Sequence, residues 1–472
     1  MAYFSPNTVD VKVSLGTSPS QLKTFDVAAG IVGHNINDLL IETYLDAKTV
    51  LSAGFAQNSP THRMAVGLFN GGIAAPASFK TVRCDISAYT LKVTGIPAVG
   101  QVVSVNANVN KVSKVASYTV VDADDATKVA EGLLADLQAL FPEATTGNPV
   151  FTSATDTITA TIAADTFPCS FGWNSETANL PHVEVGSVTA DVLTDKLASA
   201  YTQDSNMTAL MSEYKTPADI KSLAAVVKEY FIQLFTSSSD ADSKNSASPT
   251  SLIQELAALE YDETEFQWTQ YANSYFPEAA YLGNIMGLKP YTLYSVSGVT
   301  LNGVPKDDQL TAQERVTLTS RNANIYITER GTGVYKDGYA VSGQFVDTVR
   351  FGNWSAETVE QILFDLKKKK ADLGSAIPYT DGGALMMKSA VIKDYVNVGI
   401  RGGRIATGTT EDEFGNTIDL NAKVDFGTRA MQTDADITNR IWRNGVVEVV
   451  MISGINYIET NVYIESNRQF VL

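Results

Sequence analysis

Residues 321–404 read RNANIYITERGTGVYKDGYAVSGQFVDTVRFGNWSAETVEQILFDLKKKKADLGSAIPYTDGGALMMKSAVIKDYVNVGIRGGR. Short polar strands punctuated by glycine lead into an amphipathic helix over residues 355–373, in which apolar residues recur at helical spacing. A Pro-Tyr-Thr-Asp-Gly-Gly turn and a second helix follow. This order contains no nucleophile motif, metal-ligand cluster or phosphate-binding loop, so it predicts a structural scaffold.

The composition of the whole chain is that of a globular protein. Its 472 residues suggest about three domains, and 44% hydrophobic with 18% charged residues argues against wholesale disorder. The net charge of −17 disfavours nucleic-acid binding, which depends on Lys and Arg to displace counterions from phosphates. The same acidity keeps subunits soluble but opposes dense packing of copies.

Cysteine and histidine are too sparse to indicate chemistry. Cys84 and Cys169 predict two buried, reduced thiols, with a single disulfide as the alternative. The three histidines lack metal-ligand spacing, which favours structural roles: His34, His62 and His182. We therefore predict no catalytic residue, no metal site and no cofactor.

The first residues lack the basic and apolar regions of a signal peptide, and no apolar run reaches 18 residues. The simplest interpretation is a cytoplasmic product without membrane insertion.

Composition shifts along the chain predict an α+β fold. A discontinuous α/β core with a mixed sheet and flanking helices is expected, together with an inserted β-rich domain and strand-forming terminal arms. The predicted division is an N-terminal arm (1–20), the first part of the core (21–79), the inserted outer domain (80–187), the rest of the core (188–447) and a C-terminal arm (448–472).

Local signals place several elements. The pattern predicts a strand over 24–33, a helix over 125–141 and a polar, exposed loop over 236–250. Thr216 followed by Pro217 predicts a helix start, and Thr311 with Glu314 forms a capping box.

Both extremities of the chain are strand-like and poor in charge. Unpaired strands at such positions template association, so we expect them to pair with another segment, and folding back onto their own subunit is the alternative. The residues expected in these strands are Val9, Val11, Val13, Leu15, Ile455, Tyr457, Ile458, Val462 and Ile464, and the expected hinges are Gly16, Pro19 and Gly454.

Three other constellations have plain structural interpretations. Asp347 and Arg350 are expected to form an ion pair or an intersubunit contact, and Pro378, Asp381 and Gly382 to shape a turn that caps the next helix. The basic cluster Lys367, Lys368, Lys369 and Lys370 complements the dipole at a helix end. The alternative for this cluster is docking on an acidic neighbour.

Several segments, in one order, resemble subunits of contractile bacteriophage tail sheaths, a family of the myophages. The strings are DVKVSL at 10–15, IVGH at 31–34, YFPEAAYLG at 275–283, GV at 298–299, LT at 310–311, NANIY at 322–326, GQFVD at 343–347 with Arg350 and Trp354, and IPYTDG at 377–382. The resemblance covers most of the chain and is weak between about residues 80 and 181.

The resemblance implies a non-enzymatic structural subunit of the virion tail. Such subunits exchange terminal strands with neighbouring copies and form stacked hexameric rings around a tail tube protein, between baseplate and tail terminator proteins. The resemblance therefore implies that the strands at both ends pair between subunits and that the lysine cluster at 367–370 can contact the tube or a neighbour. They assemble in the host cytoplasm and contract to drive the tube through the host envelope. Another tail or baseplate assembly protein is the first alternative, and a cell-wall hydrolase with paired carboxylates is the second.

Overall fold

The computed structural model describes residues 23–454 apart from 96, 97, 144, 175, 178, 179 and 413. Its α-helices are α1 (Ala47–Ala53), α2 (Pro60–Phe69), α3 (Ala126–Leu140), α4 (Leu193–Gln203), α5 (Pro217–Val227), α6 (Ala241–Lys244), α7 (Leu252–Ala257), α8 (Ala272–Tyr275), α9 (Pro277–Gly283), α10 (Ala312–Ser320), α11 (Val346–Asp372), α12 (Asp381–Val391), α13 (Asn397–Arg401) and α14 (Asp434–Asn439). Its strands are β1 (Val27–Gly33), β2 (Ile41–Tyr44), β3 (Ser78–Cys84), β4 (Ile86–Val93), β5 (Val102–Val109), β6 (Val112–Thr119), β7 (Val150–Ala154), β8 (Thr157–Thr161), β9 (Cys169–Trp173), β10 (Glu176–Thr177), β11 (Leu180–Pro181), β12 (Val183–Thr189), β13 (Ala209–Ser212), β14 (Gln233–Ser238), β15 (Thr264–Trp268), β16 (Tyr326–Glu329), β17 (Thr332–Tyr335), β18 (Thr409–Glu411), β19 (Thr417–Asp419), β20 (Lys423–Asp425) and β21 (Val446–Glu448).

A six-stranded mixed sheet forms the centre of the molecule, in the order β15-β14-β13-β1-β3-β2. Its first five strands are parallel and β2 is antiparallel to β3. Every residue of β1 is buried, which explains its continuous small and apolar sequence VAAGIVG.

Each face of this sheet supports its own hydrophobic core. Side chains alternate between the faces along a strand, so Leu234 packs with helices α5 and α7 on one side, and Phe235 packs with α2 and α9 on the other. Tyr281 of α9 is fully buried in the second core, next to Phe235.

Two smaller antiparallel sheets form a second unit with helix α3. Their orders are β12-β4-β8-β7 and β6-β5-β9, and α3 contributes Val129, Leu133 and Leu137 to their common core. The expected domain boundary at residue 80 falls inside β3, a strand of the central sheet, so the smaller sheets begin at Ile86. The division into domains otherwise stays a prediction.

The smaller sheets are tied to the central part by hydrogen bonds. The Cys169 amide donates to Asn35 Oδ1 at 3.0 Å, and Asn35 Nδ2 donates to a carbonyl of the same segment. Trp173 Nε1 donates to the carbonyl of Ser274 at 3.2 Å. Every residue of β9 is buried, and Cys169 and Trp173 at its two ends make these contacts with the central part.

The predicted helix starts are confirmed. Asp125 caps α3 by accepting the Lys128 amide, and Thr216 caps α5 with Pro217 in the first turn. Thr311 and Glu314 form the expected capping box of α10.

Two predicted elements have different bounds in the structure. The exposed polar loop expected over 236–250 is confined to its second half: β14 continues to Ser238, helix α6 follows, and Ser237 and Ser243 are fully buried, whereas residues 245–250 lie outside helices and strands and are mostly exposed. The helix expected at 355–373 begins earlier, at Val346. The sequence did not reveal its first turns, because they are buried on all sides and therefore show no amphipathic pattern.

Helices α12 and α13 and strands β20 and β21 pack around α11. Helix α12 continues through a π-helical turn, Ile392–Val396, into α13, and a separate hydrophobic core joins these helices to Phe351 and Trp354 of α11. The described residues contain 35% helix and 25% strand, and the predicted α+β class with a mixed sheet is confirmed.

Candidate assembly surfaces

The predicted terminal strands lie outside the described residues, so their pairing stays a prediction. The same holds for the hinge residues Gly16 and Pro19. Gly454 is described, and a Cβ added there would lie 3.5 Å from the Tyr294 carbonyl oxygen, which is ordinary contact. Its role as a hinge also stays a prediction.

The lysine cluster lies at the carboxyl end of α11, as predicted. Lys367, Lys368 and Lys369 are exposed, and Lys370 is half-buried. Lys368 pairs with Asp372 at 2.7 Å, one turn further along the helix. The remaining ammonium groups form a cationic end on α11 that can contact an acidic surface.

Asp347 and Arg350 do not pair with each other, contrary to the predicted ion pair. Asp347 Oδ2 accepts a hydrogen bond from Arg404 Nη2 at 2.5 Å. Arg350 instead donates to backbone carbonyls, including that of Phe25 at 2.6 Å. Sequence separation explains the error, since the partners lie 57 and 325 positions away.

The Pro-Tyr-Thr-Asp-Gly-Gly turn precedes α12, but Asp381 does not cap the helix. Thr380 occupies the cap position, and Asp381 is the first helical residue. The Asp381 carboxylate accepts the Arg429 amide at 2.7 Å and so attaches a distant loop to the turn. The tightest packing occurs at Gly383, where an added Cβ would lie 1.9 Å from the Pro378 carbonyl oxygen.

A two-stranded sheet of β20 and β21 lies in the part of the structure nearest the C-terminal segment. Val424 is paired with Val447 and is buried, while Val446 is exposed. Among the described residues this sheet has no third strand, so it presents unpaired backbone edges. Sequence patterning indicated the strand near residue 446 but missed its partner, because β20 has only three residues.

The usual ligand crevice of a parallel sheet is filled by protein. Such crevices open where the chain leaves neighbouring strands in opposite directions, here between β1 and β13. At this point Glu213 Oε1 accepts the Gly33 amide at 2.9 Å and a hydrogen bond from Ser187 of β12. Burial raises the pKa of Glu213 to about 7, although the Ser187 bond opposes the shift.

His34, His62 and both cysteines are buried, His182 is half-buried, and they form no shared metal site among the described residues. Burial, reinforced by Arg83, lowers the pKa of His34 to about 3, and burial with Arg63 lowers that of His62 to about 4. Cys84 and Cys169 are both free and buried, as predicted.

Within the described ranges, no group of three His, Cys, Asp or Glu side chains is arranged to hold a metal ion. The helices in the same part of the chain include none with the length and apolarity needed to cross a membrane.

No protein-family model matches this chain, and no curated relative matches it by sequence. Solved structures do share its arrangement. A chain of the anti-feeding prophage baseplate in the contracted state aligns over 99% of this chain and 100% of its own length, with 11% identity and a TM-score of 0.51.

Two further structures show weaker likeness. The helical sheath of the anti-feeding prophage in the contracted state covers 99% of this chain and 100% of its own length at 12% identity, with a TM-score of 0.47. The sheath tail protein Lin1278 of Listeria innocua covers 81% of this chain and 86% of its own length at 11% identity, with a TM-score of 0.45.

The structural neighbours are thus sheath tail proteins and components of a contracted, phage-like particle. The likeness with a TM-score above 0.5 is to a component of a contracted baseplate, which is part of the kind of contractile, phage-like particle that the sequence resemblance indicates. At these identities the likeness defines a fold, and the role of this chain is a separate inference.

Proposed function

We propose that this chain is a non-enzymatic structural subunit of a contractile tail sheath. It polymerises around a tail tube and shortens to drive the tube through the host envelope. The main observation in support is that this chain shares its fold, over 99% of its length, with a component of a contracted baseplate. The colinear sequence resemblance supports the same role independently of the fold.

Assembly proceeds by exchange of strands between copies. The alternating residues at 9–15 and 455–464 donate strands, and the unpaired edges of the β20–β21 sheet are the proposed acceptor. Each backbone hydrogen bond in such a ladder is worth about 0.5–1.5 kcal/mol net, and each buried apolar side chain adds about 1.5–3 kcal/mol. A few bonds and side chains therefore hold neighbours together while the subunits reorient.

The proposed partners are further copies in stacked hexameric rings, the tail tube protein, and the baseplate and terminator proteins. The cationic end of α11 is the proposed contact with an acidic surface of the tube or of a neighbour. Screened surface pairs contribute at most about 1 kcal/mol each, so they hold register and still release when the sheath moves. The product is a virion component assembled in the host cytoplasm.

The absence of catalysis is part of the proposal. The filled crevice at Glu213 supports it, because the position where parallel sheets commonly bind ligands is occupied by protein side chains. The energy of contraction would then reside in contacts between subunits.

Electron microscopy of the purified protein tests the proposal. We expect hollow cylinders wide enough to enclose a tube. A baseplate component is the second candidate, since the likeness with the TM-score of 0.51 is to a baseplate. That role predicts closed rings or small complexes that never extend into cylinders, and monomers with hydrolytic turnover would contradict both roles.

Deletion of residues 1–15 tests strand exchange. The truncated chain should remain folded and soluble but fail to form ordered cylinders, because the acceptor sheet of each neighbour stays incomplete. A chain that replaces Val9, Val11 and Val13 by Thr keeps the length and weakens only the apolar contacts, so it should assemble at higher concentration. Normal cylinders from the deletion would refute strand exchange by this segment.

A further inference from the structure

The chain is held firmly at residues 23–26, where the described structure begins. Lys23 is buried, and its Nζ donates to the Tyr230 carbonyl at 2.8 Å. The Thr24 amide donates to Asn206 Oδ1 at 3.0 Å. We call this segment the N-terminal root, since the 22 residues that precede it lie outside the description.

A buried arginine of α11 binds the N-terminal root by donating hydrogen bonds to backbone carbonyls. Arg350 Nη2 donates to the carbonyl of Phe25 at 2.6 Å and to that of Met286 at 2.8 Å, and Nη1 donates to the carbonyl of Ile285 at 2.8 Å. Phe25 has a φ of 60°, a left-handed conformation that costs a non-glycine residue about 1 kcal/mol or more. The surrounding contacts must therefore maintain this conformation.

The other end of the described chain is anchored beside Arg404. The Ile452 amide donates to the Arg404 carbonyl at 2.8 Å, and the Ala406 amide donates to the Val450 carbonyl at 2.8 Å. We call residues 450–454 the C-terminal root, since residues 455–472 follow it.

The side chain of Arg404 ties the C-terminal root to the same helix. Arg404 is 0% exposed, and it donates to the Asp347 carboxylate at 2.5 Å. Among the described residues its Nε and Nη1 have no hydrogen-bond partner. A buried guanidinium with so few partners depends strongly on its carboxylate, because removing one member of a buried pair leaves an uncompensated charge.

The residues of α11 that hold the two roots, Arg350 and Asp347, lie one turn apart. Asp347 and Arg350 are three residues apart on α11, which places them on neighbouring positions of one helix face. Arg350 Nη1 also donates to Tyr294 Oη at 3.1 Å, and Gly454 lies against the Tyr294 carbonyl. The contacts of the N-terminal root and those of the C-terminal root therefore converge on the first two turns of α11.

We propose that Asp347 and Arg350 couple the two roots, so that displacing one terminal segment loosens or moves the anchorage of the other. The mechanical use of this coupling rests on the proposed sheath function, in which neighbouring copies hold the two segments. The coupling itself is a property of a single chain and can be measured there.

Hydrogen exchange on the isolated full-length protein tests the coupling. Arg350→Met removes the grip on Phe25, and we expect faster exchange at the Thr24 amide and also at the Ile452 amide. An increase of about tenfold or more at Ile452, relative to the amides of β13, is the expected result. The β13 amides correct for any general loss of stability.

Arg321→Met is the matched control. Arg321 also donates its guanidinium hydrogens to backbone carbonyls, those of Asp242, Ser243, Asn245 and Ser248, far along the chain from both roots. This control should accelerate exchange near residues 242–248 and leave Ile452 unchanged. If Arg350→Met accelerates Thr24 but not Ile452, the roots are independent and the proposal is overturned.

A second variant tests the coupling from the C-terminal root to the N-terminal root, and it keeps the proposal testable if Arg350→Met fails to fold. Replacing Asp347 with Leu and Arg404 with Met together removes the ion pair without leaving a buried charge. We expect faster exchange at Ile452 and also at Thr24, and an unchanged Thr24 would overturn the proposal. The failure of wild-type protein to form cylinders would refute the sheath function and would leave these exchange results to stand by themselves.

Discussion

Glu265 is a carboxyl group enclosed by the second core of the central sheet. Its Oε1 accepts hydrogen bonds from Tyr335 and from Asn324 Nδ2, the latter at 2.8 Å, while Oε2 has no partner among the described residues. Burial raises its pKa to about 8, and the nearby Glu278 acts in the same direction. The proton is therefore held more tightly in the folded than in the unfolded chain.

This raised pKa fixes the sign of a pH effect. A carboxyl with a raised pKa contributes stability that is fully present below its unfolded pKa and is lost as the pH rises through the folded pKa. Glu265→Gln keeps the acceptor for Tyr335 and Asn324 but cannot ionise. Wild type should therefore lose stability as the pH rises from about 5 to about 9, and Glu265→Gln should not. Over this range the free energy of unfolding of Glu265→Gln, relative to that of wild type, should increase by at least about 1.4 kcal/mol, the equivalent of one pKa unit.

Urea unfolding at several pH values measures this difference, with the exposed Glu143→Gln as control. A stability gap that stays constant with pH for Glu265→Gln would mean that the carboxyl ionises as readily in the folded chain as in the unfolded chain.

Gly382 and Gly383 offer a second residue-scale test. An alanine Cβ at 383 would lie 1.9 Å from the Pro378 carbonyl oxygen, whereas one at 382 would lie 3.5 Å from Thr380 Oγ1. Gly383→Ala should lower the free energy of unfolding by about 1–3 kcal/mol through overpacking. Gly382→Ala should raise it by about 0.5–1 kcal/mol, because alanine loses less entropy in a helix.

Chemical denaturation of both variants checks this pair. Equal effects at the two positions would show that the turn relaxes around the added methyl group.

Residue-scale sequence reasoning succeeded where the cause is local. The caps at Thr216 and Thr311 depend on a few neighbouring residues. The free, buried state of Cys84 and Cys169 was expected because two cysteines are too few for a disulfide framework. The pairing of Asp347 with Arg404 depends on tertiary contact over 57 positions, which no spacing rule encodes.

At the scale of elements, burial erased the signals that sequence analysis uses. Helix α11 has buried residues all around its first turns, so no apolar stripe marks its beginning at Val346. Ser237 reads as part of a polar loop, yet it lies in the core, where its hydroxyl donates to Glu278 Oε2 at 2.7 Å. A small polar side chain is readily buried once it is hydrogen-bonded, and composition alone does not reveal the partner.

The carboxyl end of α11 provides a test at this scale. Replacing Lys367, Lys368, Lys369 and Lys370 with Gln should leave the helix intact, since Gln has a helix propensity close to that of Lys. If these lysines contact a neighbour or the tube, losing about 1–2 kcal/mol of surface pairing raises the concentration needed for assembly about 5- to 30-fold.

Sedimentation and electron microscopy measure that concentration. The control replaces four scattered exposed lysines, Lys48, Lys111, Lys306 and Lys393, which changes the net charge by the same amount. Equal behaviour of the two quadruple variants would show that net charge, and not the end of α11, controls assembly.

At the scale of the whole molecule, the fold class and the order of regions along the chain were easier to predict from the sequence than the contacts between distant segments. The β-rich middle region between two parts with α/β character led to the α+β class, because strand and helix patterns both depend on periodicity. The order of strands in the central sheet could not be predicted, and neither could the passage from β3 to β4 through Asp85 alone, since both depend on which distant segments pack together. The proposed acceptor sheet was missed because β20 has only three residues.

Cys84 lies in the central sheet and Cys169 in one of the smaller sheets, and burial raises the pKa of each thiol to about 12. The protein thus carries one built-in chemical reporter in each unit. With an alkylating reagent at increasing urea, mass spectrometry should find mainly unlabelled and doubly labelled chains, because Asn35 and Trp173 bind the units together. A large population labelled at Cys169 alone would reveal that the unit of smaller sheets opens by itself, and fluorophores on the same thiols could then follow that opening.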